Sequence, residues 1–389
     1  MDSAAVKKAI VALVTERQGE IAAIVEELYR FPETGLQEAK SAALLAGTLE
    51  REGFHLERGI AGMATAFRAS YGVGEPAIAI LAEMDALHEI GHACGHNIVA
   101  AAAVGAAVAL RHALPEDAGR IVVLGTPAEE LGIGKIELIR ADVFRDLDFA
   151  MMVHPSSKRQ VLKMFTGLAK VRFTFFGRAA HAAAYPEDGI NALDGVIQTF
   201  NGINALRQHL RDDVRVHGII TEGGVAPNVI PERASCYFYV RADTLEEVVR
   251  VKERLVACAE GAARAAGCRL SVEENERVLA PLKLNRAFSA VYSAQLAYLG
   301  LQETAAPIDK NKGSSDIGNV SQVVPTIHPH VPIGEGVRIH SEAFALATVS
   351  ERGKSAAVEG AVALALTAAE LVASPTVREQ IWQEFSGKW

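Results

Sequence analysis

Two histidines and a cysteine lie within five positions of the segment EIGHACGHNIVAAAAVGAA, residues 89–107. Cys94 and His96 are separated only by Gly95, which permits a tight bend, so a thiolate and an imidazole could reach one divalent cation. The alternative is a buried free cysteine beside structural histidines, and this pair alone does not decide between them. The alanine-rich tract that follows predicts a helix whose small side chains allow close packing against a sheet.

Other potential metal ligands follow apolar segments that are typical of buried strands. Asp85 follows AIAILAEM, the adjacent Glu129 and Glu130 follow RIVVLGTPA, and His154 follows LDFAMMV. The ends of such strands meet at one edge of an open α/β sheet, where active sites lie. Two carboxylates in a low-dielectric pocket require a cation or a shared proton. At the exposed start of a helix, by contrast, the same pair would only interact favourably with the helix dipole. Three successive strand ends with these residue types together favour a metal site.

A distant histidine, in the segment GVRIHSEAF, is a further candidate ligand. Glu129 would be left free as a general base. The thiolate favours Zn²⁺, whereas the nitrogen and oxygen donors suit Mn²⁺ or Zn²⁺, so the identity of the metal ion stays open. We expect one or two divalent ions, about 3.5–4 Å apart if there are two, with five ligands: Cys94, His96, Glu130, His154 and His340.

The apolar pattern also predicts the elements that position these residues. A helical pattern over residues 4–30 is followed by a second helix at about 37–53, and then strands and helices alternate, including the apolar strands already named. Strands that are almost entirely apolar are typical of a sheet buried on both faces. This order predicts a layered α/β domain.

The pattern changes after residue 163. From LAKVRFTFFG to CRLSVEENE the order of predicted elements is β-α-β-β-α-β, which is the ferredoxin-like unit. The α/β pattern resumes after about residue 280. We therefore predict a metal-binding catalytic domain of residues 1–163 and 280–389, interrupted by an inserted α+β domain of residues 164–279.

Composition limits the classes of partner. The chain has 389 residues, 50% hydrophobic and 22% charged, and a formal net charge of −8, which disfavours nucleic acid and anionic membranes as partners. The N-terminal segment lacks the features of a signal peptide, and the longest uncharged apolar tract, Ile98–Leu110, is shorter than the roughly 20 residues that span a bilayer. The four cysteines form no CxxC pair. We expect a cytoplasmic protein with a small-molecule substrate.

Taken in order, the motifs AEMDAL…GHACGHN, PAEE, HP, GRAAHAAAYPEDGINAL, GGVAPNVIPERA and GSSDIGNVS…IHP…HSEAF resemble the M20 family of metallopeptidases. They are most similar to its amidohydrolase branch, which includes N-acyl-amino-acid, auxin-conjugate and aminobenzoyl-glutamate hydrolases. The resemblance covers about residues 30–345. It implies a metal-dependent amidohydrolase whose inserted domain is a lid that mediates formation of a homodimer or higher oligomer.

The resemblance also implies roles for individual residues. It places the five candidate ligands named above on the metal ions, with Asp85 orienting a ligand and Glu129 as the general base. His181, in the inserted domain, would reach the partner subunit's active site and stabilise the oxyanion. Four further residues would bind the substrate, the first two by gripping its carboxylate: Asn228, Arg241, Gly313 and Ser314.

The sequence departs from the family pattern at two places: His88 stands where a proline is common after MDAL, and the segment IHPHVPIGEG is rich in histidine. Glu83 stands where the peptidase branch has a histidine ligand. The roles of His88 and of two further histidines, His328 and His330, stay open.

Several alternatives to an N-acyl-amino-acid hydrolase also stay open. A cysteine hydrolase using Cys94 would need no metal, and a non-catalytic binding protein would be expected to lose the base or several ligands. Within the metalloenzyme class, a dipeptidase, a carboxypeptidase or a hydrolase that releases an aromatic amine remains possible.

Overall fold

The computed structural model describes residues 2–274, 277–305 and 312–387. The chain divides into two compact units. The first comprises Met1–Met164 and Leu282–Trp389, and the second is the continuous insertion Phe165–Pro281.

Helices and strands follow one another through both units. In chain order they are α1 (Ser3–Glu16), α2 (Gln18–Arg30), α3 (Ala39–Arg51), β1 (His55–Arg58), β2 (Phe67–Tyr71), β3 (Ala77–Glu83), α4 (His96–Ala113), β4 (Arg120–Thr126), α5 (Gly134–Arg140), β5 (Phe149–Met151), β6 (His154–Ser156), β7 (Gly167–Phe176), α6 (Ala192–Arg207), β8 (Arg215–Glu222), β9 (Arg233–Ala242), α7 (Leu245–Ala266), β10 (Arg269–Glu274), α8 (Arg286–Tyr298), α9 (Ile317–Val323), β11 (Thr326–Ile327), β12 (His330–Pro332), α10 (Glu342–Thr348), α11 (Glu351–Ala373) and α12 (Pro375–Ser386).

A mixed six-stranded sheet forms the centre of the first unit, in the order β1-β2-β4-β3-β5-β11. Strands β4, β3, β5 and β11 are parallel, whereas β1 and β2 join them antiparallel. Every residue of β3 is buried, as expected for a strand covered on both faces. The carboxyl ends of β3 and β4 therefore lie at the same edge of the sheet, and the loops that follow them begin there.

Small residues bring the helices of this unit into close contact. A Cβ atom at Gly105 of α4 would lie 2.6 Å from Ile21 Cδ1, and one at Gly360 of α11 would lie 2.7 Å from Val153 Cγ2. Helix α11 is also long and apolar enough to span a bilayer. Because most of its apolar residues are buried in the core of the first unit, packing accounts for that composition.

The second unit has the order β7-α6-β8-β9-α7-β10, and its four antiparallel strands are arranged β10-β7-β9-β8. Alternate residues of β7, including Val171, Phe173 and Phe175, are buried in a core shared with α6 and α7. The predicted fold class, an α/β catalytic layer with an inserted ferredoxin-like unit, is confirmed.

Two predicted elements are divided in the structure. The helix expected over residues 4–30 ends at Glu16 and resumes at Gln18, because Arg17 has non-helical backbone angles (φ −94°, ψ 10°). The strand expected at LDFAMMVHP is split into β5, in the main sheet, and β6, which pairs with β12. Periodicity detected the apolar faces of these segments but not the points at which the backbone turns.

Candidate metal centre

The loop before α4 places Cys94 and His96 beside His154. Gly95 has a left-handed backbone (φ 87°), and a Cβ atom there would lie 2.3 Å from Pro155 Cγ, so only glycine fits without rearrangement. The Cys94 Sγ atom lies 3.5 Å from His154 Nε2, and all three side chains are buried. The glycine bend therefore turns the cysteine towards a histidine that follows another strand.

Hydrogen bonds leave the same nitrogen of both histidines available as a ligand. His96 Nδ1 lies 2.8 Å from the Asp85 carbonyl oxygen and 3.0 Å from Asp85 Oδ1, and His154 Nδ1 lies 2.9 Å from the Pro155 carbonyl oxygen. Because these neighbours are acceptors, each Nδ1 donates to them, and each Nε2 is left on the side of the other candidate ligands. His96 Nε2 is buried and makes no hydrogen bond with the described residues, so it is available to a metal ion.

The loop after β4 supplies the carboxylates. Glu130 N–H donates to Asp85 Oδ2 over 3.0 Å, so Asp85 orients His96 and the Glu130 backbone together. Glu129 Oε2 lies 3.9 Å from His96 Nε2, and Glu130 Oε1 lies 3.8 Å from His340 Nε2. His340 is the most exposed of the predicted ligands.

The potential ligand atoms form overlapping groups. In each group one atom per residue lies within 4.8 Å of the others. Since the groups share members, they form one continuous cluster of sulfur, nitrogen and oxygen donors that fits Zn²⁺ or Mn²⁺. Four such groups occur among the described residues: Cys94–His96–His154, Cys94–Glu130–His340, His96–Glu129–Glu130 and Glu83–Glu129–Asp316.

The charges of this cluster also call for a cation. Burial would lower the pKa of His96, but the nearby Cys94 sulfur and the carboxylates of Asp85 and Glu83 outweigh burial and hold that pKa well above its usual value. Burial, with the charge of Glu83, raises the pKa of Glu129 well above its usual value. Negative charge thus accumulates where no exposed solvent can screen it, and either protons or metal ions must balance it.

Electrostatics argue against the cysteine-hydrolase alternative. Burial raises the pKa of the Cys94 thiol well above its ordinary value, and burial lowers the pKa of the neighbouring His154 to about 4. A nucleophilic cysteine needs a thiolate stabilised by a cationic partner. Without a metal ion, Cys94 and His154 are both held neutral.

Sequence reasoning missed a buried ion cluster next to these ligands. The Lys135 Nζ atom lies 2.7 Å from Glu83 Oε1 and 2.6 Å from Asp316 Oδ1, and none of the three side chains is more than 1% exposed. Glu83 Oε2 in turn lies 3.3 Å from His96 Nε2. The only signal in the sequence was a single lysine inside the apolar segment GIGKIELI, which is ordinarily a solvated residue.

Three of the predicted substrate and oxyanion residues lie in the second unit. His181 Nδ1 accepts the N–H groups of Ala183 and Ala184 over 3.3 and 3.1 Å, so its proton is on Nε2. Ala182 N–H donates to the Asn228 carbonyl oxygen over 3.0 Å, which brings the two predicted residues' loops together. Arg241 is on β9, opposite Arg215 of β8.

The remaining predicted residues belong to the first unit. Gly313 and Ser314 directly precede the buried Ser315 and Asp316. His88 is largely exposed, with its Nδ1 3.8 Å from Glu89 Oε1. The rings of His328 and His330 lie 5.3 and 5.6 Å from that of His154, and burial holds the pKa of each well below its usual value. Neutral imidazoles therefore pack around a candidate ligand.

Comparison with known proteins gives matches over most of the chain. The peptidase dimerisation domain matches residues 165–266. The Xaa-Arg dipeptidase of Mus musculus is 38% identical over 340 residues, which span 84% of this chain and 79% of that protein. One of the two p-aminobenzoyl-glutamate hydrolase subunits of Escherichia coli (strain K12) is 37% identical over 262 residues, 62% of this chain and 54% of that protein.

Solved structures share the fold. A dinuclear metal-binding peptidase of the M20 family from Bacillus subtilis superposes with a TM-score of 0.71, covering 92% of this chain and 99% of that one. Its sequence identity is 20%, so this likeness is evidence for the fold alone.

Proposed function

Because this chain belongs to the M20 family, in its branch of metal-dependent amidohydrolases, we propose that it hydrolyses the amide bond of an N-acyl amino acid or a related small conjugate. The observation that carries this proposal is the overlap of the ligand groups, which share Cys94, His96 and Glu130. The carboxylate of Glu129 lies 3.9 Å from His96 Nε2 and, in this proposal, acts as a base rather than as a ligand. A free carboxylate next to a ligand cluster is what water-mediated amide hydrolysis requires.

In this proposal one or two Zn²⁺ or Mn²⁺ ions are held by Cys94, His96, Glu130, His154 and His340. When bound, such ions acidify water and polarise a carbonyl oxygen. Asp85 fixes both the tautomer of His96 and the backbone of Glu130. Its role is therefore to keep the ligands oriented rather than to react.

Glu129 is the proposed general base. It accepts the proton of the attacking water and then delivers that proton to the leaving amine, which cannot leave as an anion. One group can perform both steps only if it stays within reach of the water and of the amine nitrogen. The short loop after β4, which fixes the backbone on either side of Glu129, supplies that constraint.

His181 is the proposed oxyanion donor. With Nδ1 engaged by backbone N–H groups, its Nε2–H is directed away from its own loop and can donate to a developing negative charge. Since His181 belongs to the unit that matches a dimerisation domain, we propose that it acts in the partner subunit's active site. In this proposal Asn228 and Arg241 grip the carboxylate of the substrate, and Gly313 and Ser314 are further substrate-binding residues.

A dipeptidase is the second candidate function. It is favoured by the 38% identity to an Xaa-Arg dipeptidase over 84% of this chain. A dipeptide and an N-acyl amino acid present the same amide and terminal carboxylate, so the proposed site serves both, and the substrate side chains distinguish them. A cytoplasmic location is also part of the proposal, and the four free cysteines support it.

The test compares metal-free and metal-loaded enzyme on one substrate panel. The protein is stripped with a chelator and reloaded with Zn²⁺ or Mn²⁺, and amine release is measured from N-acetyl amino acids, Xaa-Arg dipeptides and p-aminobenzoyl-glutamate. We expect hydrolysis of at least one class, lost on chelation and restored by metal. Absence of metal-dependent hydrolysis of every class would contradict the proposal.

A further inference from the structure

The segment Glu33–Glu38, between α2 and α3, contacts both loops that carry the proposed catalytic machinery. Ala86 N–H, next to Asp85, donates to the Glu33 carbonyl oxygen over 2.7 Å, and Thr34 forms a parallel bridge with Ala86. At the other end, Glu38 Oε1 accepts Ala128 N–H over 2.8 Å. Ala128 directly precedes Glu129 in the chain, so this segment holds the loops after β3 and β4.

Glu38 is an unusual residue for a purely structural position. Its side chain is completely buried, and the groups that donate to it are neutral: its own backbone N–H, Ala128 N–H and, over 2.8 Å, the Thr65 hydroxyl. Burial raises the pKa of this carboxyl group. A buried carboxyl group without a cation is costly, so its presence needs a reason beyond packing.

The backbone of Ala128 supplies that reason. Ala128 has φ 57°, a left-handed conformation that residues other than glycine rarely adopt. Its neighbourhood is crowded, since a Cβ atom at Gly35 would lie 3.0 Å from Ala128 Cα, and one at Gly134 would lie 1.7 Å from the Pro127 carbonyl oxygen. The loop is strained and tightly fitted, and the Glu38 hydrogen bond fixes its amide.

We propose that Glu38 is a positioning residue that holds the Ala128 backbone so that the carboxylate of Glu129 faces the metal centre. This inference rests on the proposed role of Glu129 as general base. Glu130 is anchored independently, through its own N–H to Asp85 Oδ2. Loss of the Glu38 contact should therefore displace the base more than the ligand.

The expected signature is a fall in kcat without loss of metal. In Glu38→Met the side chain keeps its approximate volume but cannot accept the Ala128 N–H. We expect kcat to fall about 10- to 100-fold, since a displacement of about 1 Å in a catalytic group costs as much as 10²-fold. KM and metal content per chain should change less than twofold. Glu38→Gln should retain most of kcat, because its amide oxygen accepts from Ala128 and its NH₂ group donates to Thr65.

The experiment measures kcat, KM and bound metal for Glu38→Met, Glu38→Gln and a control. Leu49→Ala is the matched control, because Leu49 is a buried residue of α3, the helix that begins directly after Glu38, and it is outside both loops. It should lose thermal stability without losing kcat. A Glu38→Met kcat within twofold of that of Glu38→Gln would overturn the inference, as would an equal loss of kcat in Leu49→Ala.

A second variant covers the case in which Glu38→Met does not fold. Glycine adopts the left-handed conformation without strain, so Ala128→Gly should restore folding to Glu38→Met but not its kcat. A folded double variant with wild-type kcat would overturn the inference. If the wild-type enzyme shows no metal-dependent hydrolysis, the proposed function fails, whereas an active wild type with an unaffected Glu38→Met overturns only the role of Glu38.

Discussion

The buried Lys135 gives a stability prediction whose magnitude follows from its contacts. Its ammonium group lies 2.7 Å from Glu83 Oε1 and 2.6 Å from Asp316 Oδ1, and all three side chains are excluded from solvent. Lys135→Met preserves much of the volume but leaves two buried carboxylates without that cation. Removing one partner of a buried ion pair lowers the free energy of unfolding by about 3–5 kcal/mol. This is a large fraction of the roughly 5–15 kcal/mol that is the typical free energy of unfolding of a domain.

A double variant tests whether the cost is electrostatic. Lys135→Met/Asp316→Asn removes one charge of each sign, and Glu83 can still pair with a protonated His96, whose Nε2 lies 3.3 Å from Glu83 Oε2. The backbone N–H of Lys135 donates to Asp316 Oδ2 over 2.9 Å, and the side-chain amide oxygen that Asp316→Asn introduces can still accept from the same N–H. We expect the double variant to recover at least about half of the lost stability, so the two substitutions should be strongly non-additive.

Urea unfolding of metal-free protein, followed by tryptophan fluorescence, measures this stability. Both tryptophans, Trp382 and Trp389, lie outside the residues of the second unit, so the signal reports the unit that contains Lys135. Lys354→Met is the control, because Lys354 pairs with Glu26 at a solvent-accessible position and should shift the midpoint little. A cost below about 1 kcal/mol for Lys135→Met, or additive effects in the double variant, would refute the electrostatic reasoning.

Three further predictions concern the ligands, the dimer and pH. Cys94→Ser should weaken metal binding at least about tenfold, since a hydroxyl is a poorer Zn²⁺ ligand than a thiolate. Chelator competition at constant pH would measure the metal affinity, and an unchanged affinity would remove Cys94 from the ligand set. Inactive Glu129→Gln and His181→Ala chains, mixed under conditions that allow subunit exchange, should regain activity because one site of each mixed dimer is intact, and no recovery would contradict action in the partner subunit. Arg352 and Arg159 hold the pKa of Glu359 below its usual 4.5, although burial opposes them. The folding stability that the Glu359 carboxylate contributes is therefore present above pH 4.5. It is lost as the pH falls through the lower pKa that Glu359 has in the folded protein. Glu359→Gln should therefore make acid unfolding less steep below pH 4.5, and a steeper transition would contradict this assignment.

Residue chemistry and apolar periodicity predicted most of the architecture and the proximity of the candidate ligands. Strands β3, β4 and β5 end shortly before Asp85, Glu129 and His154, and parallel strands bring such ends together, so Cys94 and His96 could be placed near them. The β-α-β-β-α-β order was recoverable because parts of β7 and β9 alternate between buried and partly exposed residues.

Features that depend on three-dimensional neighbours could not be predicted. Lys135 and Asp316 are 181 positions apart, and neither lies in a pattern that indicates burial of a charge. Glu38 lies at the start of the second predicted helix, where its sequence context does not indicate burial, and its partner Ala128 is 90 positions away. The division of the helix at Arg17 is a change in backbone angles (φ −94°, ψ 10°) that apolar spacing does not encode.

The central claim, that Glu129 acts as a base beside a metal centre of which it is not a ligand, is tested most directly by Glu129→Gln. Metal ions per chain and kcat are measured on the same protein preparation, with wild type alongside. The substitution keeps the shape of the side chain and removes the proton acceptor, so we expect wild-type metal content with kcat reduced about 10²- to 10⁴-fold. Wild-type turnover at full metal content, or loss of metal in proportion to activity, would contradict the claim.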